Sequence, residues 1–321
     1  GLRLLADRAR VLGYVQGLAI VWDAVSGRVL QEITHRGEVT GAVPFPDGDR
    51  VVTCSSGACF VWSAATGERH SVISAYVVRD CLEVLFPGDR LLTRRALNRI
   101  SLWSVDTGQR LCEVEFGRLA GSGRAVVRPS PEGRRIATSI HDSRARLWNA
   151  TSCEELHVLE HGDAGSAMDM GFLDGGETVA VFTVHGLVYL WSATTGERLR
   201  IFGDPAPAGI TAMLVFQDQR WLATVTTWAV SVWNATSGEK LRALHDPDFD
   251  FHGAALSPDG GLLAVCDGGG AVAAWDPRTG AKTMSYWPDG GVVLGEWSWG
   301  RRCRLDVGLV PPWEPNSFGP T

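Results

Sequence analysis

A short phrase recurs seven times along the 321-residue chain at a nearly constant spacing. It consists of an apolar residue, any residue, a second apolar residue and Trp, followed within a few residues by a turn rich in Thr, Ser and Gly. Successive tryptophans of the phrase are 40, 41, 45, 43, 42 and 42 residues apart. A period of this length indicates stacked structural units that share a continuous core. A Trp that returns at one position is typical of core packing, which we predict for Trp22, Trp62, Trp103, Trp148, Trp191, Trp233 and Trp275.

Each period also contains turn signals and short apolar runs that indicate β-strands. The turn phrase Phe45-Pro46-Asp47-Gly48 favours a β-turn, because Pro fixes φ and Gly accepts a positive φ. An apolar strand, the Trp strand and a more polar fourth strand, such as 197–201, follow the turn phrase. Four short strands without a helix predict one four-stranded antiparallel sheet per repeat. Radial stacking buries both faces of such sheets, so the predicted fold class is all-β, a seven-bladed β-propeller of four-stranded antiparallel blades.

The period and the phrase resemble the WD40 repeat from residue 1 to about residue 287. The Trp-Asp dipeptide stands only at Trp22-Asp23 and Trp275-Asp276, and Ser or Asn follows the other tryptophans of the phrase. The resemblance implies repeats that bind partners through loops, and it implies no catalytic residues.

The resemblance also implies a polar network in which a His, a turn Asp and a strand Ser or Thr hydrogen-bond with the Trp. The turn Asp, six residues before the Trp, is present only as Asp142. His35, His161 and His245 fall near the family's His position. No repeat plainly contains the complete set, so we expect the blades to depend mostly on apolar packing.

The two ends of the chain leave the closure of the ring open. Residues 10–16 and 2–6 predict the second and first strands of blade one. Residues 288–310 resemble another hairpin of first and second strands, which either packs beside blade one or begins a further blade. We favour ring closure, because exposed sheet edges invite unwanted pairing. The sequence therefore predicts one propeller domain over 1–310 and a Pro-rich tail over 311–321.

Charge and cysteine content narrow the class of protein. The net charge of -6 gives no support for general nucleic-acid binding, which needs clustered Lys and Arg. The chain has no apolar run of 18 residues, so we predict no membrane span. Seven scattered cysteines predict reduced thiols and a cytoplasmic location. Cys54 and Cys59 have a spacing that suits neighbouring strands, which alone is weak evidence for a disulfide or a metal site.

Motifs that would carry chemistry are missing from the sequence. It contains no HxH, HExxH, CxxC or GxSxG motif and no Gly-rich phosphate loop, so we predict no metal, no cofactor and no enzymatic activity. The segment from Asp246 to His252 holds three carboxylates and a His. We interpret it as a solvated acidic loop, with a cation site as the alternative.

The resemblance places the loops between blades, and those between second and third strands, on one face that binds partners. Trp228 is notable because it occupies a turn where packing does not obviously demand it, and exposed Trp and Arg are typical of binding hot spots. The alternative is that Trp228 packs over its neighbouring blade. The arginines at 94, 95 and 99 indicate either a solvated turn or a basic spot for a carboxylate or a phosphate. The predicted binding residues are Tyr76, Arg94, Arg95, Arg99, His185, Trp228, Phe249 and Phe251.

These features together predict a non-catalytic platform for a protein or peptide partner. The resemblance implies a scaffold or sensor module of a larger intracellular signalling protein, whose other domains are candidate partners. A start without Met is consistent with such a parent chain. The first alternative is a hydrolase-type propeller enzyme whose site at the channel mouth is assembled from distant loops. The second is a structural role through self-assembly.

Overall fold

The computed structural model describes residues 2–286 apart from 6, 8, 56, 76–81, 86–88, 97, 117–124, 141–142, 163–164, 206–209, 217, 246–250, 258 and 268–270. This part of the chain forms β-strands and short turns, among them a 3-10 turn at Asp174–Gly176. The strands are β1 (Leu2–Leu4), β2 (Arg10–Val15), β3 (Leu18–Asp23), β4 (Val29–Thr34), β5 (Val39–Pro44), β6 (Arg50–Ser55), β7 (Ala58–Ser63), β8 (Arg69–Ile73), β9 (Leu82–Leu85), β10 (Arg90–Ala96), β11 (Arg99–Ser104), β12 (Arg110–Glu115), β13 (Ala125–Pro129), β14 (Arg135–Ile140), β15 (Arg144–Asn149), β16 (Glu155–Glu160), β17 (Ala167–Leu173), β18 (Thr178–Thr183), β19 (Leu187–Ser192), β20 (Arg198–Gly203), β21 (Ile210–Val215), β22 (Trp221–Thr226), β23 (Val230–Asn234), β24 (Lys240–Leu244), β25 (Gly253–Leu256), β26 (Leu263–Cys266), β27 (Val272–Trp275) and β28 (Lys282–Tyr286).

Seven antiparallel sheets contain these strands, four consecutive strands in each, which we number as blades 1 to 7. The prediction of a seven-bladed propeller of four-stranded antiparallel blades is therefore confirmed. The first strands of successive blades contact one another, as β13, β17, β21 and β25 do. First strands consequently lie at the centre of the ring and fourth strands at its rim. Blade 1 takes its first strand from the start of the chain, where β1 pairs with β2.

Among the described residues, six hydrophobic clusters hold the blades together, and each cluster joins two successive blades. One unites Phe45 and Val61 of blade 2 with Leu91 of blade 3, and another unites Leu147 of blade 4 with Met170 of blade 5. A single sheet cannot bury both of its faces, so the core lies between the blades. Among the recurring tryptophans, the last four are buried and the first three are half-buried.

The residue after each recurring Trp caps the turn between the third and fourth strands. The side chain of Asp23 accepts hydrogen bonds from the backbone N–H groups of Val25 and Ser26. The bond from Ser26 is the main reason that the pKa of Asp23 lies below its ordinary value. Asn149 accepts the same kind of bond from Thr151, and Ser63 accepts one from Thr66. Ser and Asn can therefore replace the family's Asp without loss of the turn.

The expectation that the polar network is largely lost is wrong for four blades. In each, the Trp indole donates a hydrogen bond to a Thr that lies two residues beyond the strand partner of the Trp. The pairs are Trp62 with Thr53 (2.8 Å), Trp103 with Thr93 (2.8 Å), Trp148 with Thr138 (2.8 Å) and Trp233 with Thr224 (2.9 Å).

Blade 2 contains the fullest version of this network. His35 Nε2 lies 2.9 Å from Thr53 Oγ1, which also accepts the indole hydrogen bond of Trp62. The Thr register position holds Gly13, Val181 and Val265 in blades 1, 5 and 7, and none of these can accept that bond. Sequence patterns pointed to His and Asp positions, whereas the Thr on the second strand is the member that recurs.

The half-buried position of His35 makes the stability of the protein sensitive to acid. Burial lowers the pKa of His35, so the folded protein favours the neutral imidazole. Below about pH 6.5, the ordinary His pKa, the unfolded chain therefore binds this proton before the folded protein does, and stability falls until the pH has passed the folded-state pKa. We expect His35→Gln to lose less unfolding free energy than wild type between pH 7 and pH 5, as measured by urea denaturation. Identical losses would contradict this role of His35.

Arginines at the start of the second strand connect each of the first four blades to the next. The position is the same in all four blades, directly across from the residue that follows the Trp. Three make hydrogen bonds and the fourth an ion pair: Arg10 Nη2 with the Gly48 carbonyl (2.7 Å), Arg90 Nη1 with the Ala150 carbonyl (2.9 Å), Arg135 Nη1 with the Gly176 carbonyl (3.0 Å), and Arg50 with Asp106 (3.9 Å).

The prediction that the cysteines are reduced is wrong for four of them. Cys54 and Cys59 form a disulfide because β6 and β7 place them directly opposite each other, with Cα atoms 4.0 Å apart. Cys112 on β12 forms a second disulfide with Cys153 in the next blade, with Cα atoms 6.2 Å apart. Cys266 is buried.

The predicted closing hairpin over 288–310 and the tail over 311–321 lie outside the described residues. The boundary of the domain at 310 and the mode of ring closure therefore stay predictions. Among the described residues, no helix has the length and hydrophobicity that would let it cross a bilayer.

Candidate functional site

The antiparallel strand order divides the loops between the two ends of the ring. The connections from fourth strand to next first strand, and from second to third strand, emerge at one end, which we call the loop face. The remaining turns emerge at the opposite end, which we call the turn face. The predicted binding residues fall mostly on the loop face.

Trp228 projects from the loop face of blade 6. It lies in the turn between β22 and β23, and its side chain is 59% exposed. Thr226 Oγ1 accepts hydrogen bonds from the backbone N–H groups of Trp228 (3.4 Å) and Ala229 (3.1 Å). The hydroxyl thus closes a local turn of the type that Ser and Thr favour.

The connection from blade 6 to blade 7 holds this turn from the other side. His245 Nδ1 lies 2.7 Å from the carbonyl oxygen of Trp228. A carbonyl only accepts, so His245 carries its proton on Nδ1 in this contact. The backbone N–H of Phe251 donates to the carbonyl of Thr227 at 3.0 Å. The backbone of the Trp228 turn is therefore fixed while its indole faces solvent.

The prediction that Phe251 lines the binding surface is wrong. Its ring is fully buried in the cluster between blades 6 and 7 and meets Trp275 edge to face, with centroids 5.8 Å apart. Phe251 instead anchors the loop that holds Trp228. The sequence could not separate the two aromatic residues, because both stand in loops between strand-like segments.

His185 occupies the equivalent turn of blade 5, between β18 and β19. Both His185 and its neighbour Val184 are exposed, and Val184 adds apolar surface that sequence reasoning missed. Gly165, with φ +76°, approaches so closely that a Cβ atom there would lie 2.5 Å from Val184 Cγ1. Only glycine suits this position, for reasons of both backbone conformation and space.

The three arginines of the predicted basic spot have different surroundings. Arg99 forms ion pairs with Glu115 and, at 3.6 Å, with Glu113 on the neighbouring strand β12. The hydrogen bond with Glu115 raises the pKa of Arg99 above its already high ordinary value. Arg94 is half-buried on β10, and Arg95 follows it in the same strand. The charge of Arg99 is thus compensated within its own blade and is not available to form a cluster for an anion.

Two further predicted residues, Tyr76 and Phe249, lie outside the described residues, as do the carboxylates at 246, 248 and 250. Within the described part of the chain, no group of three or more His, Cys, Asp or Glu side chains has the arrangement of a metal site.

Carboxylates with a lowered pKa lie on the turn face, away from Trp228. Their lowered pKa values have local causes: a hydrogen bond from Thr194 for Glu177, backbone N–H bonds for Asp276, and, against the effect of burial, bonds from Arg50 for Asp47. Each of these groups caps a turn or joins two blades. Among the described residues, the carboxylates with a lowered pKa are Asp7, Asp23, Asp47, Glu177, Asp259 and Asp276.

Comparison with known proteins gives a consistent result. Residues 27–63 match the family model described as "WD domain, G-beta repeat". They run from the fourth strand of blade 1 through the third strand of blade 2, so the sequence repeat is offset from the blade by one strand. The C-terminal WD40 domain of Sif2 has the same fold, with a TM-score of 0.73 at 16% identity, over 89% of this chain and 84% of that chain. The chain has the fold of a WD40-repeat propeller.

Other similar proteins share little sequence identity with this chain. The computationally designed protein Ika8 has a TM-score of 0.68 at 22% identity, over 87% of this chain and 84% of its own. Guanine nucleotide-binding protein subunit beta of Arabidopsis thaliana is 25% identical over 51% of this chain and 46% of its own length. Serine-threonine kinase receptor-associated protein of Gallus gallus is 23% identical over 79% of this chain and 70% of its own length. The WD40 propeller thus spans about half the length of the plant relative.

Proposed function

We propose that this WD40 propeller is a non-catalytic platform that binds a protein or peptide through the loop face around Trp228. We further propose that it acts as a scaffold or sensor module of a larger intracellular signalling protein. The observation that carries the proposal is an exposed indole on a turn whose backbone is fixed by Thr226, His245 and Phe251.

A fixed, exposed Trp has the physical properties of a binding hot spot. A partner that covers its large apolar surface is bound favourably, because that surface is removed from water. Its N–H can also donate one directional hydrogen bond. Because the turn is already held in place, binding does not have to order the backbone, which is a major cost of association. The turn is held by the hydroxyl of Thr226, the imidazole of His245 and the backbone N–H of Phe251. The indole is therefore not required by the local fold.

The relatives support an interaction role in general terms. One is named as a subunit of a guanine nucleotide-binding protein, and another as a receptor-associated protein. Both names describe proteins that assemble with other proteins. These names support an interaction role as a class of function. That this chain binds a protein or peptide partner is our proposal.

The location of the perturbed carboxylates supports the non-catalytic part of the proposal. A hydrolase site at the channel mouth needs at least two titratable groups that converge there with shifted pKa values. The carboxylates with lowered pKa among the described residues, such as Glu177 and Asp276, lie on the turn face and are bound to turn or blade-joining partners. Their shifts have a structural cause that needs no substrate.

The experiment that tests the proposal uses peptides selected against the wild-type protein from a random display library. We expect Trp228→Ala to weaken their binding by at least about tenfold, as loss of a hot spot does. The same change should alter stability by no more than about 0.5 kcal/mol, because the side chain is exposed. Titration calorimetry and thermal unfolding measure the two effects separately.

The matched control is Leu199→Ala, because Leu199 is 55% exposed but lies on β20 at the outer rim. It should leave peptide binding unchanged. If the selected peptides bind the Trp228 variant as tightly as wild type, or if the Leu199 variant loses binding instead, the binding surface is not the one proposed.

A further inference from the structure

The disulfide between Cys112 and Cys153 occupies a contact that recurs between the blades. The third and fourth strands of each blade are joined by a turn, and in six blades its last residue is a glycine with φ between +68° and +78°. In blade 4 this residue is Cys153, with φ +58°. Cys153 donates its N–H to the Asn149 carbonyl (2.9 Å) as Gly27 does to Asp23 (3.0 Å), so the turn is the same. A side chain in this left-handed region is unfavourable, which makes the cysteine an exception that requires a cause.

The other half of the contact is one position on the fourth strand of the preceding blade. This residue pairs with the one before the recurring Trp, and it lies against the turn of the next blade. Gln31 donates to the Ala65 carbonyl (2.6 Å), Ser71 donates to the Val105 carbonyl (2.9 Å), and His157 Nε2 lies 3.0 Å from the Thr194 carbonyl. In the next two boundaries, Arg200 and Arg242 cover the turn glycine with their aliphatic stems.

Between blades 3 and 4, Cys112 stands at this fourth-strand position and Cys153 at the glycine position. The noncovalent contact of the other boundaries is thus replaced by a covalent bond between residues 41 positions apart. The same boundary contains a shared core with Phe116 and Trp148, and Arg90 bonds to Ala150 across it. Both cysteines depart from the residues found at these positions in the other blades. Either cysteine alone would add no stabilising contact, whereas the two together form a disulfide.

The two disulfides differ in access to solvent. Cys112 and Cys153 are half-buried at the rim of the ring. Cys54 and Cys59 are 1% and 0% exposed within the core between blades 2 and 3. Thiol–disulfide exchange requires the attacking thiolate to reach a sulfur atom, so reductants reach the rim disulfide first.

We propose that Cys112 and Cys153 form a reversible, redox-responsive clasp between blades 3 and 4. On closure, the two thiols form one S–S bond, while two electrons and two protons pass to a disulfide oxidant such as oxidised glutathione, which becomes two glutathione thiols. Two equivalents of a reducing thiol reverse the reaction. When the clasp is open, this boundary keeps Arg90 and the apolar core but carries an unfavourable left-handed cysteine.

Thermal unfolding of wild type and Cys153→Gly, each with oxidised glutathione or with dithiothreitol, tests the clasp. Oxidised wild type should unfold about 5–10 °C above reduced wild type, the range expected for a disulfide closing a loop of this length. With dithiothreitol, the unfolding temperature of the glycine variant should lie between those of reduced and oxidised wild type. The variant lacks the clasp, but its glycine relieves the left-handed strain. A glycine variant less stable than reduced wild type would overturn the proposal.

The response of the glycine variant to reductant measures the separate effect of Cys54 and Cys59. Should Cys153→Gly fail to fold, Cys112→Ser provides the second variant, since Ser71 occupies the same position in blade 2. This serine variant should respond to reductant only as far as Cys54 and Cys59 do, and should lose the rest of the wild-type response of about 5–10 °C.

Alkylation followed by peptide mapping gives an independent readout. Mild reductant should release thiols at Cys112 and Cys153 before Cys54 and Cys59, and the reverse order would contradict the proposed accessibility.

Discussion

Replacement of Phe251 by alanine is expected to lower the free energy of unfolding by about 3–5 kcal/mol, the usual cost of removing a fully buried phenylalanine ring. The ring lies between blades 6 and 7, in edge contact with Trp275 and in one cluster with Phe216 and Leu263. Its removal leaves a cavity that rigid sheets on both sides cannot easily fill. Urea denaturation followed by tryptophan fluorescence measures the loss.

The matched control for this prediction is Trp228→Ala, which removes a larger aromatic side chain from the adjacent loop. Because Trp228 is 59% exposed, its removal should cost little stability and should affect binding instead. Phe251→Ala should also weaken peptide binding. Without its buried ring, residue 251 is less firmly anchored, and its backbone N–H holds the Thr227 carbonyl less well. If both variants have the stability of wild type, the burial assigned to Phe251 is incorrect.

The fold was predictable because the residues that the blade structure requires recur at fixed intervals in the sequence. A Trp that packs between blades must return once per blade, and turns that require positive φ must return with it. Gly27, Gly67 and Gly196 meet that requirement at the same point of their repeats. Strand number and order follow from this spacing together with the absence of helical segments.

The polar network was less predictable, because its members are not spaced alike. The interval from Thr53 to Trp62 is nine residues, whereas that from Thr138 to Trp148 is ten, since the hairpin turns differ in length. Strand register, which a sequence does not display directly, makes these positions equivalent. The sequence therefore indicates that a strand Ser or Thr belongs to the network but does not show which residue it is.

The candidate site was predictable only in part, since burial is decided by contacts between distant segments. Trp228 and Phe251 are both loop aromatics in the sequence, yet one faces solvent and the other fills a core. Similarly, Arg99 lies among other arginines in the sequence, but antiparallel pairing places it beside Glu115. The cysteines follow the same rule, because Cys112 and Cys153 meet only through the stacking of two blades.

Thr53→Val is expected to lower the free energy of unfolding by about 1–3 kcal/mol, because it leaves a partly buried indole N–H without its acceptor. Val and Thr have nearly the same shape, so the change removes the hydroxyl but little packing. Trp62 Nε1 and His35 Nε2 both lose their partner at Thr53 Oγ1, in surroundings that water does not freely enter. Chemical denaturation at pH 7 measures the loss, and an unchanged stability would show that the network contributes nothing.

The reverse substitution in blade 5 makes this prediction sharper. Val181 is fully buried at the register position of Thr53, and the indole nitrogen of Trp191 is buried without a hydrogen-bond partner among the described residues. His161, Tyr189 and Trp191 form a row of rings that resembles His35, Phe60 and Trp62. Val181→Thr should therefore raise stability by about 1 kcal/mol, since its hydroxyl supplies the missing acceptor. Opposite signs for the two isosteric changes would attribute the effect to the hydroxyl and not to packing; two losses would mean that blade 5 cannot accommodate the network.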